Sequence, residues 1–155
     1  MHTVELLPDA GLESAVREMW SRLVAAGLPS LATHGHATNR PHLTLATAAS
    51  VEGLAVAGLP VPAELGAVRF LGRAVVWEVR PTAALLEVQA RVCAALPDPW
   101  PPPGEWVPHL SLALRVRSAQ HEAVLAALGD PPRAGGWFVA ARSYDTATRT
   151  VTGLA

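Results

Sequence analysis

Pro41-His42-Leu43-Thr44-Leu45-Ala46 returns 67 residues later as Pro108-His109-Leu110-Ser111-Leu112-Ala113. Five of the six positions are identical, and the sixth exchanges one hydroxyl for another. Each hexapeptide alternates as a β-strand does, where successive side chains face opposite sides. The alternation sends Leu43 and Leu45 toward a core and His42 and Thr44 to the other face. Leu110 and Leu112 divide from His109 and Ser111 in the same way. Two such strands about a pseudo-two-fold axis place two imidazoles and two hydroxyls around one shared space.

Working outward, the surrounding sequence reads as the same order of elements twice. A short strand ends at Pro8, and Asp9 caps a helix to about residue 26, with Gly27 and Pro29 as its stop. A polar loop, 30–40, leads to the first histidine strand. Ser50 is placed to cap a short helix over 51–57, and Gly58 to Pro62 break the chain. Two β runs follow, 65–71 and 74–79. A second helix, 82–96, ends at the proline-rich loop 97–104, which admits neither helix nor central strand. The second histidine strand spans 106–116. Ser118 caps a third helix, and a hairpin of 137–142 and 148–154 closes the chain. Two lobes, 10–79 and 82–154, within one domain of 1–155 are the expectation. Phe70 and Phe138 follow His42 and His109 by 28 and 29 residues, which supports that division.

Imidazole titrates near neutral pH, so one ring can be neutral while the other is protonated. That is what concerted general acid–base catalysis requires. Two hydroxyls beside the rings can donate to non-bridging phosphoryl oxygens. Base, oxyanion donors and acid together suit in-line displacement at phosphorus without a metal or other cofactor.

The paired His-x-(Thr/Ser)-x motifs resemble those of the two-histidine (2H) phosphoesterases, and in particular the bacterial 2'-5' RNA ligase-like branch. The similarity extends to Leu6-Leu7-Pro8-Asp9, Arg40-Pro41-His42 and Trp106-Val107-Pro108-His109, and so to nearly the whole chain. It implies a mixed α/β (α+β), bilobal fold: two lobes of antiparallel sheet with outer helices around a central cleft. It also implies action on 2',3'-cyclic phosphates or 2'-5' phosphodiester linkages of RNA ends or small nucleotides, with His42 and His109 catalytic. RNA ligation is the same chemistry reversed. The alternative is a non-catalytic module of the same fold that binds a nucleotide or RNA end. The resemblance leaves open which histidine is base and which acid.

Arg40 shares strand parity with His42, and Arg115 with His109 and Ser111. Either guanidinium is a candidate for substrate phosphate. Tyr144, at the last hairpin, is a candidate for the cleft. His34 and His36 form a His-x-His in the polar loop, but no acidic neighbour completes a zinc pattern, and they are expected at the cleft mouth. Trp77, Trp106, Trp137 and Phe138 read as core first and base-stacking residues second.

Composition narrows the partners. There are 12 basic and 13 acidic residues, with a formal net charge of −1. Binding to long double-stranded nucleic acid rests on many cationic phosphate contacts, and this balance argues against it. Half of the residues are hydrophobic and only 16% are charged, enough for a real core. No apolar run approaches the roughly 20 residues of a membrane span. A single cysteine, Cys93, forms no intrachain disulfide and suits a reducing compartment. A cytoplasmic monomer acting on a small nucleotide or RNA terminus is the expectation. No glycine-rich phosphate loop and no Gly-x-Ser-x-Gly nucleophile is present.

Overall fold

In the computed structural model, which describes residues 1–155, the chain folds as α+β with a single seven-stranded antiparallel sheet. The order is β1 (His2–Pro8), α1 (Ala10–Ala25), β2 (Leu43–Ala48), β3 (Val61–Leu71), β4 (Ala74–Val79), α2 (Ala83–Ala95), β5 (His109–Ala113), α3 (His121–Leu128), β6 (Gly135–Asp145) and β7 (Thr150–Gly153). The cap expected at Asp9 forms, and Thr82 caps α2. Ser118, expected to cap the third helix, instead lies in a 3-10 turn over 118–120, and α3 begins after Gln120 with no side-chain cap. Asp9 Oδ1 accepts from the Leu12 amide at 2.9 Å and Thr82 Oγ1 from that of Leu85 at 3.3 Å. Asp9 Oδ2 also accepts from the Trp137 amide at 3.0 Å. A Cβ at position 136 would sit 2.7 Å from that oxygen, so only glycine lets β6 approach the cap.

Strands run β2-β1-β6-β3-β4-β5, with β7 beside β6. The order is palindromic when β2 is matched with β5, β1 with β4 and β6 with β3. The repeat is therefore strand, helix, histidine strand, long strand, over 2–71 and 74–145, with α3 inserted before the long strand of the second copy. It starts one strand earlier than the expected lobes 10–79 and 82–154, and those two segments are not the sheet halves. Val61 to Glu64 of β3 pair with Phe138 to Gly135 of β6, whereas the rest of β3 pairs with β4. The remainder of β6 pairs with β1 and β7. Each long strand thus crosses into the other half's sheet. Phe138 sits buried at this crossing, opposite Val61, while Phe70 lies at the far end of β3 stacked on His121 at 3.8 Å. Their equal spacing from the histidines does not mark equivalent positions.

Residues 51–57 form a turn and loop instead of a helix. Ser50 Oγ accepts from the Glu52 amide at 3.2 Å, but Gly53 has φ +74 and stops propagation before a second turn. The 106–116 strand shrinks to β5 because residues 103–105 form a 3-10 turn and the chain bends at Leu114.

Both histidine strands carry the same irregularity. Between Val4 and Glu5 on β1 the partner on β2 skips Leu45. Between Val75 and Val76 on β4 the partner on β5 skips Leu112. A bulge shifts parity by one, so the Leu-Ala that ends each hexapeptide is buried at both residues. Leu43, Leu45, Leu110 and Leu112 all belong to one buried cluster of 30 residues, so the sheet halves share a core. Cys93 lies in it, and burial pushes its thiol pKa up.

β2 and β5 are the two edges of the sheet. Their Cα atoms come within 8 Å, yet the strands do not pair. Side chains occupy the edge carbonyls instead. Trp106 Nε1 donates to Thr44 O at 3.0 Å, Gln89 Nε2 to Leu45 O at 3.4 Å, and Trp20 Nε1 to Ser111 O at 3.1 Å. Trp100, in the proline loop, exchanges backbone bonds of 2.7 and 2.9 Å with Thr47. Capped edges cannot zip together.

Leu110→Ala is expected to destabilise the protein by about 2–5 kcal/mol in chemical denaturation, as a fully buried leucine without room to collapse. Arg115→Ala, on the exposed bend, should stay within about 0.5 kcal/mol of wild type. Equal effects of the two would overturn this account of the core.

Candidate active site

His42 precedes β2 by one residue, and His109 opens β5. The His42 Nδ1 lies 2.8 Å from the Arg40 carbonyl oxygen, and the His109 Nδ1 lies 2.7 Å from that of Val107. A carbonyl only accepts, so Nδ1 carries the hydrogen in both rings. Each imidazole is braced by the backbone two residues upstream. In each, Nε2 is the nitrogen left to exchange a proton. Thr44 and Ser111 are half-buried, on the same side of their strands as the histidines.

The wall beside His42 is built by alternation across three strands. Thr44 of β2 pairs with Glu5 of β1, which pairs with Arg142 of β6; Thr3 pairs with Tyr144. Glu5 and Arg142 are buried. Arg142 Nε donates to Glu5 Oε1 at 2.8 Å, and its Nη2 to Thr38 O at 2.9 Å. Thr3 Oγ1 donates to Glu5 Oε2 at 2.8 Å, and His42 Nε2 lies 3.5 Å from that same oxygen. Loop residues close the wall into a cavity of about 320 Å³, lined by His42, Thr44, Glu5, Arg142, His34 and Tyr144 among others.

The wall beside His109 differs. The residue paired with Ser111 is Val76, buried and apolar, where the other half has Glu5. Glu78, paired with His109, is engaged by Arg69 of β3. The His109 pKa is lowered from the ordinary imidazole value, chiefly by burial. The bond to the Val107 carbonyl opposes this, and the charges of His42 and Arg69 add to it.

Tyr144 and the loop residues His34 and His36 line the His42 cavity as expected. Two predicted residues fall elsewhere. The Arg40 guanidinium is committed to Glu13 of α1, with Nε at 3.0 Å and Nη2 at 2.8 Å from Oε1, so only its carbonyl serves the site. Arg115 lies beyond β5 in a bend with φ 55 and is exposed. The bulge at Leu112 had already reversed the parity on which its assignment rested. Trp77 is core, and Trp106 and Trp20 brace strands. Sequence reasoning missed Glu5 and Arg142. The signal was an acid between the core residues Val4 and Leu6, a position that demands a partner. A hollow of about 400 Å³ at the β3–β4 turn, lined by Arg73, Arg117 and His121, contains neither motif.

A model of the 2'-5' RNA ligase superfamily matches residues 8–143, the span that holds both histidine strands. The chain belongs to this family. The family is that of the 2H phosphoesterases, in agreement with the resemblance of the paired motifs. No curated protein matches the sequence. No helix is long and apolar enough to cross a membrane.

Arg142→Ala leaves Glu5 charged, buried and without its guanidinium. Breaking such a pair is expected to cost about 3–5 kcal/mol in denaturant unfolding. Arg40→Ala breaks a half-exposed pair and should cost at most about 1 kcal/mol.

Proposed function

We propose that the chain is a metal-independent phosphodiesterase acting on 2',3'-cyclic phosphates or 2'-5' phosphodiester linkages in RNA ends or small nucleotides. The observation that carries this is the matched bracing of His42 and His109, each with Nδ1 held by a carbonyl and Nε2 left for proton transfer. One Nε2 takes a proton from water as its oxygen attacks phosphorus. The other gives a proton to the departing ribose oxygen. Thr44 and Ser111 donate to the non-bridging oxygens, whose charge grows during displacement. Two imidazoles supply both proton transfers, so the reaction needs no metal activation of water. Ligation is the reverse, with an RNA 5'-hydroxyl in place of water. The cavity of about 320 Å³ beside His42 suits a nucleoside-sized substrate. One buried, free cysteine suits work in the reducing cytoplasm.

The test is turnover of a panel of 2',3'-cyclic nucleotides and 2'-5' dinucleotides in EDTA, with the phosphate position in the product mapped. His42→Ala and His109→Ala should each lower kcat by about 10²–10⁴-fold while the proteins remain folded. Thr44→Ala and Ser111→Ala should lower it by about 10²-fold or more. Tight binding of these ligands with no product over hours would replace the enzyme by a binding module.

A further inference from the structure

The two hexapeptides are equivalent, but their surroundings are not, and the difference divides the two proton-transfer roles. His42 has the Arg40 carbonyl as acceptor at Nδ1 and the Glu5 carboxylate as a charged neighbour 3.5 Å from Nε2. A carboxylate at that distance favours the charged form of an imidazole by Coulomb attraction. His109 has an acceptor at Nδ1 alone, which matches a neutral ring with its Nε2 lone pair free. The pairwise registers sharpen the contrast. Glu5 sits opposite Thr44, and the corresponding place opposite Ser111 is held by Val76.

We propose that His42 is the general acid and His109 the general base, and that Glu5 is the positioning residue that sets this order by holding a proton on His42. This inference rests on the phosphodiesterase reading above. His109 Nε2 removes a proton from water as the water oxygen bonds to phosphorus. The bond from phosphorus to the ribose oxygen breaks, and that oxygen takes the Nε2 proton of His42. Exchange with solvent returns a proton to His42 and removes one from His109. At 3.5 Å the Glu5 contact is too long to retain the hydrogen against a closer acceptor. Glu5 is itself fixed, with Arg142 on Oε1 and Thr3 on Oε2, so it cannot turn toward the substrate in place of the imidazole.

The charged and titratable neighbours of the two rings differ. Around His42 stand Glu5, Arg142, Tyr144, the loop residues His34 and His36, and His109. Glu5 alone brings negative charge to the ring, and Arg142 partly offsets it. Around His109 stand Glu78, whose carboxylate is taken up by Arg69, then Arg69 itself and His42. The lowering of the His109 pKa by burial, His42 and Arg69 agrees with a ring kept neutral.

The experiment is the pH dependence of kcat/KM on a cyclic nucleotide that the wild type hydrolyses, for wild type, Glu5→Gln and Arg69→Gln. The wild-type profile is a bell whose acidic limb, reporting the base, lies below the ordinary imidazole range. Glu5→Gln keeps a carbonyl oxygen for Arg142 and removes the charge. It should narrow the bell from its alkaline side and leave the acidic limb in place. Arg69→Gln, on an exposed stretch of β3, should move the acidic limb up and leave the alkaline limb in place. A merely structural Glu5 would lower the whole bell without moving either limb. If Glu5→Gln does not fold, the Arg69→Gln profile decides alone. Movement of the opposite limb in either variant, or of no limb, overturns the assignment but leaves two-histidine hydrolysis standing. A wild type inert across the panel removes the phosphodiesterase reading, and the roles with it.

Discussion

The architecture depends on two strand edges that come close and do not join. β2 and β5 end the sheet on opposite sides, yet some of their Cα atoms lie within 8 Å of each other. Exposed N–H and C=O groups at that distance tend to pair, which would close the space between the histidines. Indole and amide donors hold them off. Trp20 from the first helix caps Ser111, and Trp106 and Gln89 from the second half cap Thr44 and Leu45. Each half therefore supplies the groups that finish the other half's edge. The bracing acts on the backbone of the motif residues themselves, so it positions the hydroxyls while keeping the cleft open.

A second constraint follows from duplication. Matched hexapeptides, bulges and Nδ1–carbonyl bonds produce two nearly identical arms, and identical arms cannot divide a proton donor from a proton acceptor. The division has to come from what stands beside them. On one side a carboxylate is buried in a polar wall with an arginine and a threonine to satisfy it; on the other a valine takes the same place. Burying Glu5 carries a desolvation penalty that a purely structural strand would avoid.

Much of the site was legible in the chain. The alternation in Pro-His-Leu-(Thr/Ser)-Leu-Ala named all four motif residues and their inward and outward faces as far as Ser111. It failed at Arg115 because a bulge at Leu112, invisible in a pattern of period two, turned the strand over. Arg40 was misjudged for a different reason. Strand parity located it correctly near the site, but an acid on α1, Glu13, claims the guanidinium, and no local pattern reports a partner 27 residues away. Glu5 and Arg142 escaped because their meaning lies in pairing across 137 residues.

What the sequence determined by itself is local: a helix capped by Asp9, a second opened at Thr82, two histidine strands with apolar backs, and the chemistry that paired imidazoles and hydroxyls can perform. Those features follow from side-chain periodicity and capping, which act over a few residues. The tertiary structure alone decided which strands are neighbours, and so moved the repeat from 10–79 and 82–154 to 2–71 and 74–145 with its long strands exchanged. It also decided that Glu5 reaches the His42 ring, whereas Glu78, opposite His109, is taken up by Arg69. Both depend on long-range register, which is selected by how the whole core packs and is recorded in no single stretch of chain.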